Sequence, residues 1–519
     1  MNYDIVIIGG GLSGLTSAAL FSRAGMSVAV LEMDAKPGGY LAGFQRGEYK
    51  FDSAIHWLNQ CGPKGSVTRI FSAIGNDFPK AREQVKIRRF SGYKAEFMLT
   101  NNPDDLKDEL IQAFPHEKKG VIRFFRDAKN IAGAFDNFSN NFRDMQTHSF
   151  LGKVDGRLKL LKFGLTLVPY VFYSGSKGVV KGLKKYFNDP ELMKIWAAEN
   201  DLLSCLIPIA WAYNKDYQFP PVGGGQVFPQ WLAHKITESG NQIFYQTKAL
   251  KIVDDGIKAT QVVADRLGEE LVFNARFVVA ACDVETLYEK IMRPELSDPK
   301  FLEKLKAADL YSSAVTVVIG LDCPAEELGF GEELIIISED NIKRSDHNCG
   351  DPDKSDITVL APSTRDKSMA PLNKGTLTIY APAYFSQFDN LGELYRQIKK
   401  EFADILISRV EKKLSIDIRS HISVIDIATP KTYHRYTGNR DGIMMGARPG
   451  KNNYQAKIAH YKTPLENVYL SGHWANLGGG VPIAVSTAAN TTLLILKEAD
   501  KQEFYRLNRF LDQQGNRQD

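Results

Sequence analysis

A chain of 519 residues holds about three domains at ~150 residues each. Its 44% hydrophobic and 24% charged residues describe a folded globular protein and exclude a disordered one. Lys and Arg number 65 against 61 Asp and Glu, too even a balance for a dedicated nucleic-acid binder.

Five scattered cysteines without a CxxC give neither a disulfide framework nor a zinc site, and no metal is expected. They point to a reducing compartment. The first strand is expected from residue 3 or 4, which leaves no room for a cleavable leader. No uninterrupted apolar run reaches ~18 residues, so no membrane-crossing helix is expected.

The chain opens with "DIVIIGG" (Asp4 to Gly10), a β-branched apolar run of the kind buried on both faces of a sheet. Gly9, Gly11 and Gly14 follow in G-x-G-x-x-G spacing, and Leu15 to Ala24 has helical character up to Gly25. "SVAVLE" is the next strand and ends on Glu32. Each part has a physical task. Gly9 allows a tight turn, Gly11 admits a pyrophosphate to the backbone, and Gly14 lets helix and strand pack closely. The helix start, with Leu12 and Ser13, offers free N–H groups and a positive dipole to phosphates. Glu32 can accept the ribose hydroxyls of an adenosine, and its charge disfavours a 2′-phosphate.

A second glycine pair, Gly38 and Gly39, comes next, then "FDSAIHWL" (Phe51 to Leu58). Further on, "FPPVGGGQVFPQWLAHKITESGNQIFYQTKALKIV" contains a glycine triplet, Gly223 to Gly225. No long apolar strand runs into it and Pro220 and Pro221 precede it, so it is not a second nucleotide fingerprint. "NVYLSG" (Asn467 to Gly472) is a late strand, followed by the turn Gly478 to Gly480 and a helix opening on Val481 and Pro482. A proline in a first helical turn loses nothing by lacking its N–H.

With these segments in view, the chain resembles the FAD-dependent oxidoreductases that include bacterial phytoene desaturases, carotenoid isomerases and retinol saturases. In that family a Gly-Gly pair follows the ribose-binding acid and a Phe-Asp-x-Gly segment comes later. One branch continues Ile-His-Tyr, where this chain has Ile55, His56 and Trp57. Ala54 replaces the usual glycine, Tyr40 stands where Arg, Lys or Cys is common, and His473 where Asp is frequent.

The resemblance implies an α/β fold. A Rossmann-type FAD-binding domain, glutathione-reductase-like, would comprise residues 1–95, 215–300 and 456–500. An inserted α+β substrate domain would comprise 96–214 and 301–455, with 501–519 as a tail. It implies FAD as cofactor, bound through Gly9, Gly11, Leu12, Ser13, Gly14, Glu32, Gly38, Gly39, Ala249, Gly472, His473, Gly480, Val481 and Pro482. Ala249 falls where a backbone meets the adenine. The last helix would direct its N-terminal dipole at the flavin pyrimidine, stabilising negative charge there. His56 is a catalytic candidate beside the ring, or a core histidine.

The implied activity is desaturation, saturation or cis–trans isomerisation of carbon–carbon double bonds in a carotenoid, polyene or related lipid. For desaturation, the lack of a second nucleotide fingerprint points to a membrane quinone or oxygen as acceptor. Rival readings are a flavin amine oxidase or monooxygenase, and a lipid-binding protein that keeps FAD without catalysis.

Between Phe150 and Asn188 stand eight Lys or Arg and one acid, enclosing the apolar block "FGLTLVPYVFY". Such a segment can lie in a bilayer interface, so a membrane surface met through residues 157–185 is expected, as is a cytoplasmic protein peripheral on the inner face of the cell membrane. Glu199 and Asp201, beside an apolar run, are read as helix-surface acids before proton carriers.

Overall fold

The computed structural model describes residues 1–519 except 92–95, 140, 141, 149, 197, 198, 200, 340, 341 and 517–519. Ala197, Ala198 and Asn200 of the apolar segment before Leu202, and the last three residues of the expected tail, thus lie outside the described residues.

The β-branched run at the start forms the strand Asn2–Ile8, buried from Ile5 onward. It pairs in parallel with Val28–Leu31 on one side and Glu269–Ala280 on the other. Gln242–Phe244 extends the sheet beyond Val28–Leu31, and Val468–Leu470 adds a last parallel strand against Glu269–Ala280. The antiparallel strands Thr247–Asp254 and Ala259–Arg266 complete it.

Period-2 alternation decides what each face meets. Ile5 and Ile7 point into a core shared with the helices Leu12–Arg23, Val227–Glu238 and Gly480–Ala499, while Val6 and Ile8 face a second core with Ile252 and Val262. Helices Leu12–Arg23 and Gly480–Ala499 therefore pack in one core, on one face of one sheet.

Helix Gly480–Ala499 is long and apolar enough to cross a membrane, but 78% of its apolar stretch is buried inside the fold. It is a core helix. The residues after it, expected as a tail, form the helix Lys501–Asn516, which buries Phe504 and Leu511 in that same core.

The second sheet runs Ile422–Ala428, Ser313–Leu321, Gly375–Ala383, Ile357–Leu360, Leu334–Ile337, Lys86–Ser91 and Phe97–Thr100. Lys86–Ser91 belongs here because it pairs with Leu334–Ile337. The first stretch of the nucleotide unit thus ends before Lys86 and not at residue 95. Helix Tyr395–Leu414 covers one face. Val318 on the other face meets Tyr49 and Phe51, which lie on the segment joining the two units. Ser313–Leu321, from "LYSSAVTVVIGL", is a central strand buried along its whole length. A helical lobe built from Lys118–Ser139, Phe150–Val171, Gly175–Leu183 and Leu202–Tyr213 adjoins the end strands.

Candidate functional site

The first glycine turn is built by close approach. Gly9 leaves the strand with φ +107°, and a Cβ there would stand 2.6 Å from the carbonyl oxygen of Ala281. A Cβ on Gly14 would overlap the carbonyl oxygen of Gly9. Gly11 differs, since a Cβ there meets nothing within 4 Å. Gly9 and Gly14 are glycines because the protein needs their space, whereas the space at Gly11 is open. Gly11 is the N-cap of the first helix, and no side chain caps that end. Leu12 and Ser13 are buried in its first turn, so their backbone donors face the opening with no side-chain acceptor supplied. A diphosphate fits this cradle.

The second glycine pair locks onto the first turn. Gly38, at φ +134°, donates its N–H to Gly10 O at 2.9 Å, and Gly39 packs against the Cα of Gly11. Glu32 closes the second strand. Its Oε2 accepts from Gly10 N at 2.7 Å and its Oε1 from Asp34 N at 2.8 Å. Burial pushes its pKa up against those donors. Each oxygen still has a lone pair to offer a ribose. Thr247 donates to Glu32 O at 2.8 Å, which brings the buried Ala249 to the same edge of the sheet.

The far end of the chain arrives beside this turn. Ser471 continues the last strand, its N–H on Ala280 O at 2.9 Å, and its hydroxyl lies 2.6 Å from that of Ser13. Gly472 donates to Thr487 Oγ1 of the last helix at 3.0 Å. The turn Gly478 to Gly480 hands over to that helix, whose N-cap Gly479 carries no capping side chain and whose first turn holds no acid. Val481 is buried in the core that also contains Leu12 and Leu41. Pro482 has no N–H, so it sets direction while Gly480 and Val481 supply the donors. His473 is pressed against Gly446, and burial lowers its pKa to about 4, opposed by a hydrogen bond to the Gly480 backbone. Its ring is neutral near pH 7.

His56 meets the second sheet. Its ring stacks on Tyr380 of the second sheet, centroids 4.2 Å apart and 8° between planes, and its carbonyl accepts Arg365 Nη1 at 2.6 Å. Burial, helped by Arg365, lowers its pKa to about 3, so it is neutral and no proton donor near pH 7. It lines a hollow of about 20 Å³ with Asp52 and Asp366, room for about one water.

The glycine triplet is now explained. Asp52 Oδ1 accepts Gly225 N at 2.7 Å and Asp366 Oδ2 accepts Gly223 N at 2.6 Å, so those donors hold carboxylates of the chain itself. Burial raises Asp52 to about 6. Tyr40 hydrogen-bonds the carbonyl of Ile443 and accepts from Asn439 Nδ2 at 3.1 Å, tying the second glycine pair to the segment before the late strand.

The two acids expected on a helix surface are placed otherwise. Asp201 caps the helix Leu202–Tyr213, Oδ1 accepting Ser204 N at 2.7 Å. Glu199 is half-buried beside Arg88 and Arg344. Desolvation raises its pKa to about 7, opposed by Arg88. Sequence reasoning missed Asp366, Arg365, Tyr380, Ser471 and Thr487. Asp366, Arg365, Tyr380 and Thr487 belong to no quoted motif, whereas Ser471 stands inside "NVYLSG" and Asp52 inside "FDSA".

A family model described as an NAD(P)-binding Rossmann-like domain matches residues 7–74. The chain carries a Rossmann-type dinucleotide-binding domain. Similarity runs well beyond it. The inactive all-trans-retinol 13,14-reductase of Danio rerio is 23% identical over 518 residues, covering 91% of this chain and 82% of that protein. The chloroplastic prolycopene isomerase of Arabidopsis thaliana is 25% identical over 500 residues, covering 93% of this chain and 81% of that protein. A solved structure of putrescine oxidase bound to putrescine matches with TM-score 0.60 at 14% identity, covering 96% of this chain and 99% of that one. The last likeness shows the shared fold alone.

Proposed function

We propose that this chain is an FAD-dependent oxidoreductase acting on carbon–carbon double bonds of a carotenoid or related hydrophobic polyene, by desaturation, saturation or cis–trans isomerisation. The observation that carries the reading is the meeting of two uncapped helix starts, at Gly11 and Gly479, on one face of one sheet. A nicotinamide dinucleotide needs the first. A flavin, whose reduced ring carries negative charge, gains from the second. The length-wide similarity to a carotenoid isomerase and a retinol reductase supports a polyene substrate. Amine oxidation rests on fold likeness alone.

Gly11, Leu12 and Ser13 would hold the diphosphate, Glu32 the adenosine ribose, and the Ala249 backbone the adenine. Gly480 and Val481 would direct their N–H groups at the ring pyrimidine. Bound FAD would supply hydride exchange at its N5. His56 is a positioning residue, since its neutral ring is fixed on Tyr380. A membrane quinone is the acceptor we infer for the oxidative direction, and the protein is cytoplasmic and peripheral on the inner face of the cell membrane.

Expression in cells making different carotenoids, followed by pigment analysis, tests the substrate class; a changed pigment supports it and none altered counts against it. Purified protein is expected to be yellow, and photoreduced protein to be reoxidised by a quinone. Material colourless after added FAD overturns the reading, and a flavin that cannot cycle leaves only the binding role.

A further inference from the structure

Exposed apolar side chains are concentrated on one helix. In Phe150–Val171 and the residue after it, Val154, Leu158, Leu161, Leu165, Val168 and Phe172 are all exposed, Leu161 at 59% and Phe172 at 79%. They recur at alternate spacings of four and three. At about 100° per residue this places all six within an arc of about 80°. The opposite side of the helix is the packed one, with Tyr170 buried and Phe163 5.6 Å from Phe135. An apolar stripe on the outward face of a helix that already has its core contacts is not a core stripe.

Charge surrounds that stripe. Lys153, Arg157 and Lys162 flank it, and Lys177, Lys181, Lys184 and Lys185 follow on the next helix, Gly175–Leu183, and just after it. The single acid of the segment, Asp155, is paired with Lys159 at 2.8 Å. The helix is not among the described helices long and apolar enough to cross a membrane. It suits lying along one, with lysine stems reaching back to head groups.

Its far end is tied to the start of helix Leu202–Tyr213. Leu202 donates to Tyr173 O at 3.0 Å, and Ser174 pairs with Asp201. Separately, Leu310 bridges Ala447, and the Arg448 guanidinium lies 5.5 Å from the Tyr311 ring. Ala447, next in the chain, accepts Gly478 N of the second glycine turn at 3.2 Å.

We infer that Phe150–Val171 docks the protein on an anionic lipid bilayer, the stripe from Val154 to Phe172 entering the interface and the flanking lysines meeting acidic head groups. This deepens the function proposed above and rests on it in one respect: the substrate would be a polyene dissolved in that bilayer.

The test is co-sedimentation of the full flavin-loaded chain with vesicles of phosphatidylglycerol and phosphatidylcholine, against phosphatidylcholine alone. Wild-type protein is expected to bind the anionic vesicles at least about tenfold more tightly, and less well as salt rises. Leu161→Asp with Leu165→Asp should weaken binding at least about tenfold, with thermal midpoint and flavin spectrum unchanged. Wild type that ignores anionic vesicles, a double variant that binds like wild type, or a solution dimer that the double variant splits would each overturn the inference. Turnover of a detergent-dispersed polyene separates the two claims. Turnover without vesicle binding sinks only the docking, and vesicle binding without turnover sinks only the proposed activity.

Discussion

The hydroxyls of Ser13 and Ser471 stand 2.6 Å apart although 458 positions separate them in the chain. One lies in the first turn of the first helix, the other at the end of the last strand, and both are buried. The pair ties the phosphate cradle to the turn that begins the last helix.

Replacing Ser471 by Ala leaves the Ser13 hydroxyl buried without this partner. The expected cost is about 1–2 kcal/mol of stability, with a weaker hold on added FAD. Denaturant unfolding should show a lower midpoint at constant slope. An unchanged midpoint would mean the two ends are held by packing alone.

Two alanine substitutions separate a structural glycine from a ligand-facing one. Gly14→Ala drives a methyl into the Gly9 carbonyl and should destabilise the apoprotein. Gly11→Ala meets open space, so the apoprotein should melt as wild type does while its FAD titration collapses. Equal loss of apoprotein stability in both would contradict a ligand at Gly11.

His473 sets a pH dependence. Its pKa in the fold is about 4, against 6.5 ordinarily, because burial disfavours the charged ring. Between those values the unfolded chain binds more protons, so this group's stabilising effect is complete above pH 6.5 and lost as pH falls towards 4. The lost contribution is up to about 3 kcal/mol. His473→Gln should flatten the midpoint-against-pH curve in that window, and a curve of unchanged slope would count against a buried neutral ring.

Glu199 behaves oppositely. Its pKa of about 7 lies above the ordinary 4.5, so the fold keeps a proton that the unfolded chain gives up. Stability from this group falls as pH rises through that interval. Glu199→Gln should therefore gain on wild type between pH 5 and 8, by up to about 3 kcal/mol, and a constant difference would refute the burial.

What could be read in the sequence was local. Gly9, Gly11, Gly14 and Glu32 form one continuous unit whose spacing is its geometry, and Gly479 with Val481 is another. The pairing of Lys86–Ser91 with Leu334–Ile337 joins segments far apart in the chain, so no local pattern assigned that strand to the second sheet. Glu199 reads as a helix-surface acid beside an apolar run, yet Arg88 and Arg344, from two other segments, lie close enough to act on it. Asp366 and Tyr380 act on the candidate site through single side chains with no repeat or motif. The helix Lys501–Asn516 hid its packing in a polar sequence in which Phe504 and Leu511 are buried and Leu507 and Phe510 pack beside them.

Because Val468–Leu470 is needed to finish the sheet begun by Asn2–Ile8, and Gly480–Ala499 to cover its first helix, most of the polypeptide must leave the ribosome before the nucleotide cradle is whole. Coenzyme capture is then a late event in biogenesis. A translation product cut short before Val468 keeps the complete glycine fingerprint and yet lacks the second uncapped helix start at Gly479.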